Sequence, residues 1–339
     1  MKTIRIGMMS YAHVHAPQYI PMLQAMEGVV IVGLADEDHE RAEEARVAHG
    51  IEIFESYDAL LAQPLDAVIV SSENARHREH VELAAAKGLT ILCEKPLATT
   101  GEDAAAMVEA CHAAGARLMV AFPMRFSEPL SEVLELMHNG ELGDIQACEG
   151  VNQGQLPRHR RSWFVDPVLA GGGAVTDHTV HLVDALRWML DDEVVEVYAQ
   201  ANDFVGGEGM EVETSGLVML TFSRGTVATV DCSWNRSMTY PTWGGLGMRF
   251  VAQNAVADVD AYSQLLMSYD DAADKVSAMD CSQSAYQAML EHFVAAVRGD
   301  VALTPTGTDG LRAVEVVDAA YRSIREGQPV RCERISVSA

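Results

Sequence analysis

Over the first third of the chain, short runs that are apolar throughout alternate with longer amphipathic ones. The apolar runs predict strands at Thr3–Met9, Val29–Ala35, Ala67–Val70, Thr90–Cys93 and Arg117–Ala121. The amphipathic stretches predict helices over roughly Ala16–Met26, His39–His49, Ala75–Lys87 and Gly101–Ala114. Strands alternating with helices in this way build β-α-β units around a parallel sheet. Their lack of polar alternation suits a sheet covered by helices on both faces. Gly88 and Gly115 fall where helices should stop, since glycine enters the left-handed backbone without strain.

The rhythm changes after Phe122-Pro123. A helix over about Glu128–His138 stops at Asn139-Gly140. Alternating, β-branched stretches follow at Val194–Gln200, Ser215–Phe222, Thr226–Cys232 and Met248–Val259, with a long helix, Val175–Leu190, before them. They predict a mostly antiparallel sheet. Two helices close the chain. One covers Ser284–Arg298; the other begins near Thr306, where Thr306 and Asp309 have capping-box spacing, and stops at Gly327. The expected architecture is an α/β domain over residues 1–123 followed by an α+β domain over 124–339 with a large, mostly antiparallel sheet.

Length supports that division, because 339 residues exceed what one core usually serves. A hydrophobic fraction of 49% and a charged fraction of 22% exclude a disordered chain. The formal net charge of -25 would repel phosphate backbones and anionic lipid heads, so neither nucleic acid nor membrane is an expected partner. No apolar run is long enough to cross a bilayer, and the chain opens on a strand-like segment, so a cytoplasmic protein is expected. Cys93, Cys111, Cys148, Cys232, Cys281 and Cys332 are scattered without a C-x-x-C pair and read as reduced thiols.

A first strand, turn and helix of this kind is where a Rossmann domain seats the pyrophosphate of a dinucleotide. Asp36, at the end of the second strand, is placed to accept hydrogen bonds from the adenosine ribose. With Glu37 and Asp38 it would repel the extra phosphate of NADP. The alternative is a helix cap. The glycine pattern G-x-G-x-x-G is missing: Ser10, Ala12 and His15 occupy its three positions, in Met9-Ser10-Tyr11-Ala12-His13-Val14-His15. A pyrophosphate there would use side-chain donors, Ser10 with His13 or His15, as well as backbone N–H groups, and His15 should lie toward the nicotinamide half.

The fifth strand ends in Leu92-Cys93-Glu94-Lys95-Pro96. Here the chain resembles the glucose–fructose oxidoreductase/inositol dehydrogenase (Gfo/Idh/MocA) family, which carries E-K-P after this strand with its lysine in the active site. Asn74-Ala75-Arg76-His77 is similar to the family's N-x-x-H, Arg125-Phe126 to its R-F pair, and Gly140-Glu141-Leu142-Gly143 to its G-x-L-G. Gly171-Gly172-Gly173 and the following Asp177 to His181 resemble its G-G-G and D-x-G-x-H, with Thr179 where glycine is usual. The resemblance covers nearly the whole chain and is densest from Asn74 to Asp184. It implies an NAD-dependent dehydrogenase acting on a sugar, polyol or sugar acid, assembled as a homodimer or homotetramer.

Oxidising a secondary alcohol needs a hydride acceptor and a base for the hydroxyl proton. Imidazole suits the base near neutral pH. The resemblance places the proton acceptor at His181. Lys95 would hold the substrate oxygen and disfavour protonation of a neighbouring imidazole, and Asp177, four residues before His181 on the same helix face, would orient substrate or histidine. By spacing alone the reading is a helix cap for Asp177, a structural histidine for His181 and a surface lysine for Lys95, and the resemblance reverses it. The resemblance further implies Ser71, Asn74, His77, Glu94 and Arg125 around the cofactor. No metal is expected, because no cysteine or carboxylate cluster completes a ligand set with the histidines.

The basic run Arg158-His159-Arg160-Arg161 precedes Trp163. It reads as a solvated or intersubunit loop, or as a clamp for an anionic sugar, with Arg158, Arg160, Trp163 and His178 facing substrate. Two other functions stay open: a glycoside-cleaving enzyme that holds NAD tightly and works by transient oxidation, and a non-catalytic Rossmann-type sensor. The second domain's sheet, with helices on one face only, is expected to find a second copy of itself.

Overall fold

The computed structural model describes residues 2–207, 209–240, 242–261, 265–270, 275–280 and 284–338. The first part runs β1 (Ile4–Met9), α1 (Ala16–Gln24), β2 (Val29–Ala35), α2 (His39–His49), β3 (Ile53–Phe54), α3 (Tyr57–Leu61), β4 (Ala67–Val70), α4 (His77–Ala85), β5 (Thr90–Cys93), α5 (Gly101–Ala114) and β6 (Arg117–Val120). Its six strands lie in the order β3-β2-β1-β4-β5-β6, and every pair is parallel. This is a Rossmann sheet, as the alternation of elements predicts. The strand order reverses between β1 and β4, and ligands of such sheets bind at the carboxyl ends beside that reversal. Ser10, Ser71 and Glu94 follow β1, β4 and β5 there.

The second part runs α6 (Glu128–His138), β7 (Ile145–Gly154), α7 (Pro167–Ala170), α8 (Ala174–Leu190), β8 (Val194–Asn202), β9 (Ser215–Phe222), β10 (Val227–Ser233), β11 (Gly244–Ala252), β12 (Val256–Asp260), β13 (Leu265–Asp270), β14 (Lys275–Asp280), α9 (Ala285–Arg298), α10 (Gly307–Glu326) and β15 (Val330–Arg331). Seven strands form the sheet β12-β11-β7-β10-β9-β8-β15, antiparallel except where β10 meets β7. Helices α8 and α10 pack on one face of it.

Two differences from the sequence reading have physical causes. Met248–Val259 is a hairpin, β11 and β12, rather than one stretch. Strand β7, next to the centre of the sheet, went unread because its inward positions are Cys148, Gly150, Asn152 and Gly154. A Cβ on Gly150 would stand 2.9 Å from Leu182 of α8, so close helix packing has removed the apolar alternation that announces a strand.

The two parts share packing. Met289, Leu290 and Phe293 of α9 join Ile4, Ile6 and Met8 of the first sheet in one core. The capping box is present, with Asp309 N–H donating to Thr306 Oγ1 and Thr306 N–H to the Asp309 carboxylate. The five cysteines among the described residues are unpaired, and Cys281 lies outside those residues. No described helix is long and apolar enough to cross a membrane.

Candidate active site

Helix α8 begins after three glycines whose crowding comes from neighbouring chain. A Cβ on Gly172, at φ 151°, would collide with the Tyr321 hydroxyl, and one on Gly173 with the Glu213 carbonyl. The Glu213 carboxylate accepts the N–H groups of Gly173 and Val175, both at 2.9 Å, and so takes up the positive helix end. Asp177, in that first turn, is therefore not the cap. Its Oδ1 accepts Lys95 Nζ at 2.6 Å and its Oδ2 accepts Trp234 Nε1 at 3.0 Å. His178 Nε2 also lies 3.2 Å from Oδ2.

Lys95, Asp177 and His181 line one cavity of about 210 Å³, together with His13, His15 and His178. All three are at least nine-tenths buried. Burial, then the Lys95 ammonium, hold His181 well below the usual imidazole range, so it is neutral near pH 7. The Asp177 carboxyl is also held well below its usual range: burial alone would raise it, and the Lys95 charge reverses that. Four buried polar atoms of the cavity wall have no partner, His13 Nε2, His178 Nδ1, His181 Nδ1 and Trp243 Nε1. Unpaired buried groups are costly, and a polyhydroxy ligand could satisfy them. Trp243, with Arg160 5.4 Å above its ring, and Tyr286 belong to the site but were missed from sequence. Lone aromatics outside any motif give no signal.

The cofactor turn is folded in on itself. Ser10 takes the first glycine's left-handed backbone, at φ 73°. Tyr11 N–H donates to Asp36 Oδ2 at 2.6 Å, Ala12 N–H to Ser10 Oγ at 3.2 Å, and His13 N–H to the Ser71 carbonyl at 2.9 Å. Pro17, in the first turn of α1, brings no N–H. Trp163 donates its indole N–H to the Ala12 carbonyl at 3.0 Å and stacks on Phe164 at 4.0 Å, covering the turn. Asn74 ties the cover down by donating to the Ala170 carbonyl at 2.9 Å. With its N–H groups engaged and Trp163 over it, the turn is not an open pyrophosphate cradle.

Asp36 is not a cap either, since Asp38 caps α2. Its carboxylate takes a fork from Arg41, with Nη2 at 2.8 Å and Nε at 3.2 Å from Oδ1, and it also accepts Ser10 Oγ. Arg41 is held in turn by Glu73 at 2.7 Å. Arg125, His77 and Ser71 lie apart from the cavity. Arg125 pairs with Asp184 and Asp309, 2.7 Å and 2.9 Å away, and links α8 to α10. His77 Nδ1 lies 2.9 Å from the Pro96 carbonyl and fixes the turn that presents Lys95, with Nε2 3.2 Å from the Ser72 carbonyl. Ser71 Oγ donates to the Ser10 carbonyl. Within the basic run only Arg160 reaches the cavity; Arg161 pairs with Glu44 at 3.4 Å and lies over the Tyr11 ring, and Arg158 is half-buried. His15 sits beside Glu94 and Tyr286 on the cavity side.

Comparison with known proteins bears on the family and the fold. Residues 4–122 match the model for the oxidoreductase family with an NAD-binding Rossmann fold, and residues 130–252 match the GFO/IDH/MocA C-terminal domain. A D-xylose 1-dehydrogenase (NADP(+)) of Haloferax volcanii is 30% identical, over 96% of this chain and 99% of its own. A D-apiose dehydrogenase of Paraburkholderia graminis is 27% identical, over 99% and 90%. The crystal structure of GenD2 from gentamicin A biosynthesis, in complex with NAD, superposes with a TM-score of 0.88 at 22% identity over 98% of this chain and 97% of that one. With both halves of its sequence matched in order and the E-K-P lysine, aspartate and histidine gathered in one buried cavity, the chain belongs to the Gfo/Idh/MocA family of oxidoreductases.

Proposed function

We infer that the protein is an NAD-dependent dehydrogenase that oxidises a hydroxyl of a sugar, polyol or sugar acid. The observation that carries this reading is the buried Lys95–Asp177 pair beside a neutral His181, in a cavity with four unpaired polar atoms. When bound, the nicotinamide supplies the hydride acceptor. Lys95 donates a hydrogen bond to the substrate oxygen and offsets its developing negative charge. Asp177 holds Lys95 in place and balances its charge. His181 takes the hydroxyl proton. Trp243 and Arg160 lie against the sugar, and Arg160 favours an anionic one. Asp36, Ser10 and the α1 end form the adenosine side of the cofactor site, with Arg41 exchanging part of its fork for ribose hydroxyls. Residues 1–123 supply the cofactor half of the site and 124–339 most of the substrate half.

The covered turn favours one second reading. A cofactor under such a cover exchanges slowly, which suits glycoside cleavage by transient oxidation. Net NADH production from a panel of sugars and polyols marks the dehydrogenase; sugar release without net NADH marks the second reading. The bare sheet face carries Leu217, Met219 and Val227, each about half exposed, and supports a homo-oligomer joined through it. Unpaired, mostly buried thiols support a cytoplasmic location.

A further inference from the structure

Two histidines from the cofactor turn and one carboxylate from the end of β5 meet at the cavity wall. His15 Nδ1 lies 3.1 Å and His13 Nδ1 3.5 Å from the same oxygen, Glu94 Oε1. One donor atom from each of the three residues falls within 4.8 Å of the others, and all three residues are buried. The sequence reading found no carboxylate to complete a ligand set; the fold brings Glu94 across from β5 to supply it.

We propose that His13, His15 and Glu94 hold one divalent first-row transition cation, of the zinc class, with an open coordination position facing the substrate cavity.

The spacing suits such an ion. Zinc holds nitrogen and oxygen ligands at about 2.0–2.1 Å, so neighbouring ligands on a tetrahedron stand about 3.3–3.4 Å apart. The two His–Glu94 edges, 3.1 Å and 3.5 Å, bracket that value, and the donor atoms all lie within 4.8 Å of one another. The surrounding contacts orient the ligands. Lys95 N–H donates to Glu94 Oε2 at 3.2 Å, Oε1 faces the imidazoles, and the Tyr19 hydroxyl lies 3.5 Å from His15 Nδ1. His15 Nε2 lies 3.2 Å from the Tyr286 hydroxyl, the outer hydrogen bond that typically fixes a metal-bound imidazole. His13 Nε2 is buried without a partner. The His15 amide, 3.3 Å from His13 Nδ1, is the contact that an ion would replace. The nearby Lys95 charge is balanced by Asp177 at 2.6 Å.

Two nitrogens and one oxygen select zinc, cobalt, nickel or iron over magnesium and calcium, which take oxygen shells. His13 and His15 line the cavity and Glu94 does not, so the vacant position points to where a substrate hydroxyl or carbonyl would sit. The ion's presence can be tested without turnover.

The test titrates chelator-treated full-length protein with Zn²⁺ and Co²⁺ by calorimetry. It also records the visible spectrum and X-ray absorption of the Co²⁺ form. The expected result is one equivalent bound, a d–d band of low-coordinate cobalt, and imidazole scattering from two ligands. His13→Ala and the near-isosteric Glu94→Gln should lose stoichiometric binding, while His159→Ala in the exposed loop should keep it. Circular dichroism of the metal-free variants checks that they fold. Failure of wild type to bind either ion, cobalt without imidazole scattering, or binding retained in both His13→Ala and Glu94→Gln would overturn the site.

Discussion

At the scale of single residues, the account rests on burial deciding which groups carry charge. His181 is neutral because burial and Lys95 oppose its protonation. Its acid limb in a pH–rate profile should therefore lie below the ordinary imidazole value of about 6.5. Replacing His181 by alanine should lower turnover about a hundred- to ten-thousand-fold, with substrate affinity changing less. Lys95→Ala should cost about a hundred- to a thousand-fold. Steady-state kinetics on the identified substrate checks both, and a His181→Ala enzyme near wild-type turnover would remove the histidine from the reaction. Lys95, Asp177 and His181 were legible only through their resemblance to the family's motifs, because spacing alone pointed to a surface lysine, a helix cap and a structural histidine. The partners of Asp36, Arg125 and His77 were not. Whether a carboxylate faces a ligand or an Arg41 fork depends on where a neighbouring helix side chain folds back, and spacing along the chain carries no such information.

At the scale of elements, the segment from Pro157 to Ala170 is the cover of the cofactor turn, held by Trp163 on Ala12 and by Asn74 on Ala170. Trp163→Phe removes the indole N–H and keeps the ring. It should speed NAD association in stopped-flow fluorescence, and unchanged association kinetics would mean that the cover does not limit entry. Gly172→Ala should destabilise the fold by about 1–3 kcal/mol, because a methyl at φ 151° meets the Tyr321 hydroxyl; denaturant unfolding measures this. The elements most readily legible in the sequence were those with an unbroken apolar run or a full helical period, such as β2, α2 and α5. The hidden ones, β7 and the short β3 and β15, lack that signal. β7 gave its inward positions to small residues so that α8 could approach, and the short strands pair over two residues each.

For the whole molecule, four buried histidines set the response to acid. His13, His77, His80 and His181 all have lowered pKa values, with burial the leading cause, and His80 falls to about 3. The unfolded chain binds these protons near pH 6.5, so the stabilisation is present above that pH and is lost as pH falls toward the folded values. Asp184, Glu213 and Asp318 work the other way, since burial raises all three and Asp184 to about 6, but they are three groups against four. The melting temperature should therefore fall steadily as pH drops below about 6.5; a flat profile down to pH 5 would contradict the buried, neutral state of these histidines. Light scattering should find a dimer or tetramer, and Leu217→Glu on the bare sheet face should shift it toward monomer. The most direct measurement of the central claim follows NADH absorbance while the wild type and Lys95→Ala are each offered NAD with a panel of sugars, polyols and sugar acids. The account predicts that NADH accumulates with at least one compound and that Lys95→Ala forms it about a hundred- to a thousand-fold more slowly. NAD that fails to bind in a parallel calorimetric titration, with no NADH from any compound, would contradict it.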